Sequence, residues 1–186
     1  MSKYLSIPQD FYSDLENSPF EQCKLCHTTF SDETLYVIEK AYQKIADGPD
    51  VTLFEVAICF KCSEKQALKM STSSRKKMEK IMGNQDFLAQ QKEKWKGKWS
   101  PNWKDTCAIT NHEISPNQEY HIVGYFKGSQ IIPYQVPFVI GNEILEQIQE
   151  NLSPETKEEM DRLGHEILGP DPTLKAILEE KQFILI

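Results

Sequence analysis

Four of the five cysteines fall into two pairs, Cys23-x-x-Cys26 and Cys59-x-x-Cys62. Two residues between thiolates let both sulfurs of a tight turn face one ion at about 2.3 Å, and two such pairs complete a tetrahedron. The second pair opens the run "CSEKQALKM", which reads as a helix starting near Ser63. Free N–H groups and the positive dipole end at a helix start favour thiolate over thiol. The expected chemistry is therefore one structural zinc held by Cys23, Cys26, Cys59 and Cys62. The other reading of the same residues is metal-free thiols, or a pair that forms disulfides under oxidation. Gathering four thiolates without an ion is unfavourable, so zinc should matter for folding.

The elements between the pairs are a hairpin. Leu35–Tyr42 and Val51–Ile58 are rich in the β-branched and aromatic residues that strands favour, and Gly48-Pro49-Asp50 marks the turn. A second helix follows, with Ser71 at its cap. The chain then repeats this order. With an offset of 84, Cys23, Phe30, Ser31, Tyr36 and Ile38 meet Cys107, Ile114, Ser115, Tyr120 and Ile122. With an offset of 82, Ile58, Glu64, Ser71 and Met78 meet Ile140, Glu146, Ser153 and Met160. The loss of two residues falls at the hairpin tip, where loops absorb deletions. The second copy predicts strands over Tyr120–Phe126 and Ile131–Ile140, a helix from Asn142, and a further helix with Ser153 as cap and Pro154 at its first position. Its counterparts of the four cysteines are Cys107, Thr110, Gly141 and Ile144, which cannot hold zinc. His112 and His121 stand at no matching position and read as surface or structural histidines.

A Cys-x-x-Cys turn, a hairpin and a Cys-x-x-Cys that opens a helix resemble the treble-clef class of zinc fingers, over Cys23 to about Met70. The resemblance implies that the four cysteines are the ligands of one structural zinc. His27 stands where a zinc knuckle commonly carries glycine after its second cysteine, which leaves the turn's conformation, and His27 as an occasional ligand, open. Iron in a rubredoxin-like site is disfavoured, because the glycine-flanked turns of that family are missing. Some treble-clef proteins are nucleases of the His-Asn-His type, but the first copy has no histidine on its hairpin or helix. In the second, His112 and His121 have no histidine partner on the helix. The chain as a whole resembles uncharacterised bacterial proteins, which implies no mechanism.

Between the copies lies "QDFLAQQKEKWKGKWSPNWKDT". From Lys65 to Lys104 there are 11 basic residues against three acidic ones, a local +8 in a chain whose net charge is −7, so the rest carries −15. Lys92, Lys94, Lys96 and Lys98 alternate with other residues, while Trp95, Trp99 and Trp103 recur every four. Lysines on phosphates and tryptophans on bases would suit single-stranded nucleic acid, with Arg75, Lys76, Lys77 and Lys80 on the neighbouring helix as further contacts. The alternative is that the tryptophans anchor a connector to the two copies while the lysines face water or the chain's own acidic parts.

The 39% apolar and 26% charged content is that of a soluble globular protein, and no apolar run reaches the roughly 20 residues of a membrane helix. The N-terminus has no apolar export signal, so the expected location is a reducing cytoplasm. No nucleotide loop, Gly-x-Ser-x-Gly or His-Glu-x-x-His is present, which points away from an enzyme.

The sequence thus predicts an α+β fold of two tandem treble-clef-like modules, the second without metal. Residues 1–82 form the N-terminal segment and zinc module, 83–106 a basic Trp/Lys-rich connector, and 107–186 the metal-free repeat with a C-terminal helix and an apolar tail. The expected function is a zinc-stabilised, non-catalytic protein-binding or adaptor module. The alternatives are a nucleic-acid-binding protein using residues 75–104, then a thiol redox protein or degenerate nuclease. Phe183–Ile186 can pack as a strap or edge strand, or serve homo-oligomer formation.

Overall fold

The computed structural model describes residues 6–83, 102–132, 135–169 and 182–186. Strands β1 (Leu35–Gln43) and β2 (Val51–Cys59) form the first hairpin, followed by helices α1 (Phe60–Lys69) and α2 (Thr72–Met82). Then come β3 (Glu119–Lys127), the short β4 (Gln130–Ile131), β5 (Phe138–Gly141), and helices α3 (Asn142–Asn151) and α4 (Pro154–Leu168). All pairings are antiparallel, in the order β2-β1-β3, with β4 and β5 on the far edge of β3. Among the described residues a single antiparallel sheet with helices makes the fold α+β.

The strand expected over Ile131–Ile140 is divided. Its first residue ends β4 and its last part is β5, with Gln135–Pro137 outside any strand. The first helix starts at Phe60, three residues earlier than Ser63, which brings Cys62 into its first turn.

The two hairpins share one register after displacement. Tyr36 faces Cys59 and Ile38 faces Ala57 in the first; Tyr120 faces Gly141 and Ile122 faces Val139 in the second. The shifts are 84 on the first strand and 82 on the second. The hairpins join through β1 and β3, paired from Leu35↔Lys127 to Gln43↔Glu119, with Glu39 opposite Val123 at the midpoint. An antiparallel pair has a local two-fold axis, and here it passes through that midpoint.

Two helix caps meet reciprocally. Ser71 Oγ accepts from Ser74 N at 3.1 Å, and Ser153 Oγ accepts from Thr156 N at 3.3 Å. Each cap's own N–H crosses to the other half: Ser71 N donates to Thr156 Oγ1 at 3.0 Å and Ser153 N to Ser74 Oγ at 2.8 Å. The two serine hydroxyls are themselves 3.0 Å apart. Ser74 and Thr156 are fully buried, so each helix start depends on the opposite half for a hydrogen bond it cannot get from water.

Seven of the nine β1 residues are buried because both faces of the strand are covered. Alternation puts Tyr36, Ile38, Lys40 and Tyr42 on one face and Val37, Glu39 and Ala41 on the other. Phe11 covers the first face, with ring centroids 5.2 Å from Phe126 and 5.9 Å from Trp103. On the second, Phe183 lies 5.0 Å from Phe54, and Phe60 packs edge-on to Tyr125. Phe183 and Ile184 are buried within the chain, each contributing about 1.5–3 kcal/mol. Gly164 makes room for this strap, since a Cβ there would come within 2.8 Å of the Phe183 ring.

Glu39 and His121 form a buried hydrogen-bonded pair under the strap. His121 Nδ1 is 2.7 Å from Glu39 Oε1 and its Nε2 is 3.0 Å from Glu119 Oε1, while Glu39 Oε2 accepts from Ile186 N at 2.8 Å. Burial pulls the imidazole pKa down, but the hydrogen bonds and charges of Glu119 and Glu39 outweigh it and raise it to about 9. Unfolded histidine titrates near 6.5. A pKa raised on folding gives stability that is complete below the unfolded value and is lost as pH rises through the folded one. Denaturant midpoints are therefore expected to fall between about pH 6.5 and 9, and to fall less in His121→Gln. Equal slopes for the two proteins would remove His121 as the cause.

Candidate metal centre

The first cysteine pair lies in a knuckle closed by its own backbone. Cys23 N donates to Thr28 O at 3.0 Å and His27 N to Cys23 O at 2.9 Å, and Lys24 N ties the turn to β2 through Ala57 O at 2.9 Å. His27 takes φ +57°, the left-handed conformation that glycine adopts freely, at a cost of about 1–2 kcal/mol. The sequence leaves the role of His27 open; its side chain is exposed and stands outside the ligand cluster.

Cys59 ends β2 and caps α1, and Cys62 lies in the first turn of that helix. The four Sγ atoms are all within 4.8 Å of one another, with Cys26 and Cys59 3.8 Å apart. A tetrahedral ion with 2.3 Å bonds places its sulfurs about 3.8 Å apart, so the cluster has the size of one zinc. Cys59 N points at Cys23 Sγ at 3.4 Å, the kind of outer hydrogen bond that orients a thiolate ligand. Cys23, Cys59 and Cys62 are buried and Cys26 is exposed.

The electrostatics also fit a cation. The hydroxyl of Thr28, 3.2 Å away, and its backbone N–H lower the Cys26 thiol to about 6. Burial pushes Cys59 and Cys62 upward. Without an ion, four thiolates this close repel one another; a dication at the centre lowers all of them together. Four soft sulfurs favour zinc or iron over harder ions.

The corresponding place in the other half is built alike and filled differently. Cys107 N donates to His112 O at 2.9 Å, Asn111 N to Cys107 O at 2.9 Å, and Ala108 N to Val139 O at 2.8 Å. Asn111 has φ +58°, matching His27. These bonds repeat those of the first knuckle after the same shifts. Yet Gly141 stands where Cys59 stands, and a Cβ on it would meet Ile114 Cδ1 at 2.8 Å and Cys107 Cβ at 3.3 Å. Ile144, in the place of Cys62, is buried. His112 is exposed beside Glu143, its Nδ1 3.0 Å from the carboxylate.

Of the basic and aromatic residues suggested for nucleic acid, Lys76, Lys77 and Lys80 are exposed on α2 and Arg75 is half-buried. Trp103 stacks on Phe11 and donates to Asp10 Oδ2 at 3.0 Å, which makes it an anchor. Lys92, Lys94, Trp95, Lys96, Lys98 and Trp99 lie outside the described residues. Sequence reasoning missed Thr28, whose hydroxyl is ordinary in the sequence and gains its role only from the turn. No helix among the described residues is long and apolar enough to cross a membrane.

No protein-family model, curated protein or solved structure matches the chain.

Proposed function

We propose that the chain is a zinc-stabilised, non-catalytic binding protein made of two copies of one treble-clef-like module. In this reading the first copy holds a single structural zinc through Cys23, Cys26, Cys59 and Cys62, and the second has exchanged its metal for apolar packing by Ile114 and Ile144. The observation that carries it is the four-sulfur cluster, all within 4.8 Å and between a knuckle and a helix start. The shared register and shared knuckle bonds of the two halves support common descent of the modules. Five free cysteines fit a reducing compartment such as the cytoplasm. His121 is enclosed between two carboxylates and packed by Phe54, which favours a structural role for it over a nuclease one.

Metal analysis by mass spectrometry on untagged protein tests this. One zinc per chain is expected, lost in Cys23→Ser and in Cys59→Ser and kept in Cys107→Ser. Zinc-free protein whose thiols oxidise in pairs would replace the reading with a redox one.

A second reading, binding of single-stranded nucleic acid, is favoured by the exposed Lys76, Lys77 and Lys80. It requires a salt-dependent complex with single-stranded DNA or RNA that Lys→Glu changes abolish.

A further inference from the structure

The helices over the sheet carry opposite charge on the two sides of the β1–β3 axis. Residues 60–82, spanning α1 and α2, hold seven basic and two acidic side chains, a net of +5. Residues 142–168, spanning α3 and α4, hold two basic and eight acidic side chains, a net of −6. At three corresponding positions the sign reverses: with the shift of 82, Lys61, Lys76 and Lys77 meet Glu143, Glu158 and Glu159.

Among the described residues these charges are left largely without ion-pair partners. Lys61, Lys65, Lys69, Lys76, Lys77 and Lys80 are all exposed, and none makes an ion pair among the described residues. The same holds for Glu150, Glu158 and Glu166. On these four helices the ion pairs among described residues are Arg162–Glu159, within α4, and His112–Glu143. Among the described residues the basic side therefore lies beside the acidic side without an ion pair between them, although the charge of Lys69 helps to lower the Glu159 carboxyl.

Along the seam runs an apolar groove of about 240 Å³ whose walls include Met70, Met78, Met160, Leu163 and Leu185. Arg75 also lines it, and its Nε is buried with no hydrogen-bond partner among the described residues. Unbranched methionines adapt to an incoming surface. An apolar centre with a charged rim is the usual anatomy of a protein interface.

We propose that this face docks a second copy of the chain about a two-fold axis, with α1–α2 of each copy over α3–α4 of the other and the two methionine grooves meeting at the centre. A face that is basic on one side and acidic on the other is complementary to itself after such a rotation, and the contact closes at two copies. Both unlike contacts form at once. The untwisted stacking would set like charges together, and that repulsion fixes the orientation. A polyanion would be attracted by α1–α2 and repelled by the adjoining α3–α4, so the charge pattern favours a bipolar partner over a phosphate backbone. The inference rests on the binding reading above and names the partner.

Sedimentation of the zinc-loaded full chain tests it. A dimer is expected at about 0.01 M ionic strength, where charges reach about 30 Å, and a monomer at about 1 M, where they reach about 3 Å. The variant Lys65→Glu/Lys76→Glu/Lys77→Glu takes residues 60–82 from +5 to −1, and Glu150→Lys/Glu158→Lys/Glu166→Lys takes residues 142–168 from −6 to 0. Each alone removes the match of opposite charges, while a mixed pair keeps one +5 side over one −6 side. All six positions are exposed, so folding should be little affected. Each variant alone is expected to associate at least about tenfold more weakly than wild type, and the two mixed are expected to form a heterodimer. Wild type that stays monomeric at low salt overturns the proposal, and so does a mixture that stays monomeric. A monomer that still carries one zinc would overturn the pairing and leave the metal reading standing. A wild-type monomer retained by single-stranded DNA, and released in the lysine variant, would overturn it in favour of nucleic acid.

Discussion

Stripping the metal with a chelator, or replacing Cys59 by serine, is expected to remove most of the chain's folding free energy. The apparent contribution of a structural four-ligand zinc is about 10–16 kcal/mol in small domains, while a whole domain is stable by only about 5–15 kcal/mol. The ligands sit at both ends of the first hairpin: Cys23 and Cys26 before β1, Cys59 and Cys62 at the junction of β2 and α1. Because β1 is also the partner of β3, loosening that hairpin exposes the middle of the sheet, so the loss should spread through the whole fold. A fall in melting temperature on the order of 20 °C follows for a chain of this size. Cys107→Ser supplies the contrast. It puts a hydroxyl into a buried apolar position at a cost of about 1–3 kcal/mol, a few degrees. A chelated protein that melts where the loaded one does would refute the structural role of the metal.

The second large effect is expected at Lys40. Its side chain is 0% exposed, yet its ammonium is fully engaged: it donates to Tyr12 O at 2.7 Å and Asp14 Oδ1 at 2.6 Å, and lies 3.4 Å from Glu55 Oε2. Glu55 in turn accepts from Ser13 Oγ at 2.6 Å and Asp14 N at 2.8 Å, so the segment from Tyr12 to Asp14 is fastened to the hairpin by Lys40 and Glu55 together. Lys40→Met keeps the volume and removes the charge, leaving two carboxylates facing each other over an apolar strand. Breaking a buried pair this way costs about 3–5 kcal/mol, and the lower figure applies because Asp14 remains half open to water. The pH dependence gives the signature. Partial burial tends to raise the Asp14 carboxyl, but Lys40, Thr52 and Tyr42 together hold it below the usual range. A lowered carboxylate pKa gives stability above the unfolded value that is lost as pH falls through the folded one. The gap between wild type and Lys40→Met should therefore be widest near neutrality and narrow on acidification. A gap that stays constant with pH would mean the lysine acts through packing alone.

These two sites differ in how far the sequence announces them. The four-cysteine cluster is written in local spacing: two Cys-x-x-Cys pairs, strand-forming runs between them, and a helix start at the second. The offsets of 84 and 82 between the two halves likewise match the strand registers, because both depend on apolar positions that alternate along short segments. Lys40 and Glu39 carry no such signal. Adjacent charges in a strand read as solvent-facing, but here they point to opposite faces, and their partners arrive from far along the chain, Asp14 26 residues before Lys40 and His121 82 residues after Glu39. The joining of the hairpins was also illegible. The tryptophans suggest a connector that holds two modules together, whereas the halves share a sheet through β1 and β3, and pairing between distant strands leaves no local mark in either. Position 27 shows a third kind of limit. A glycine is the usual cue for a left-handed residue, and His27 adopts that conformation without the cue.

The pairing of β1 with β3 also sets a schedule for synthesis. Leu35 leaves the ribosome well before its partner Lys127, and the strands meet in register only when the later one has emerged. At about 5–20 residues per second, the 76 to 92 residues between partners take on the order of 4 to 18 seconds. Through that interval the nascent hairpin can close its four-cysteine knuckle, but it presents β1 as a bare edge rich in aromatic and β-branched side chains, the kind of template that other chains pair with. Early capture of the metal would fix the register of that hairpin before β3 arrives, and a cell short of zinc would leave the edge both longer-lived and less ordered.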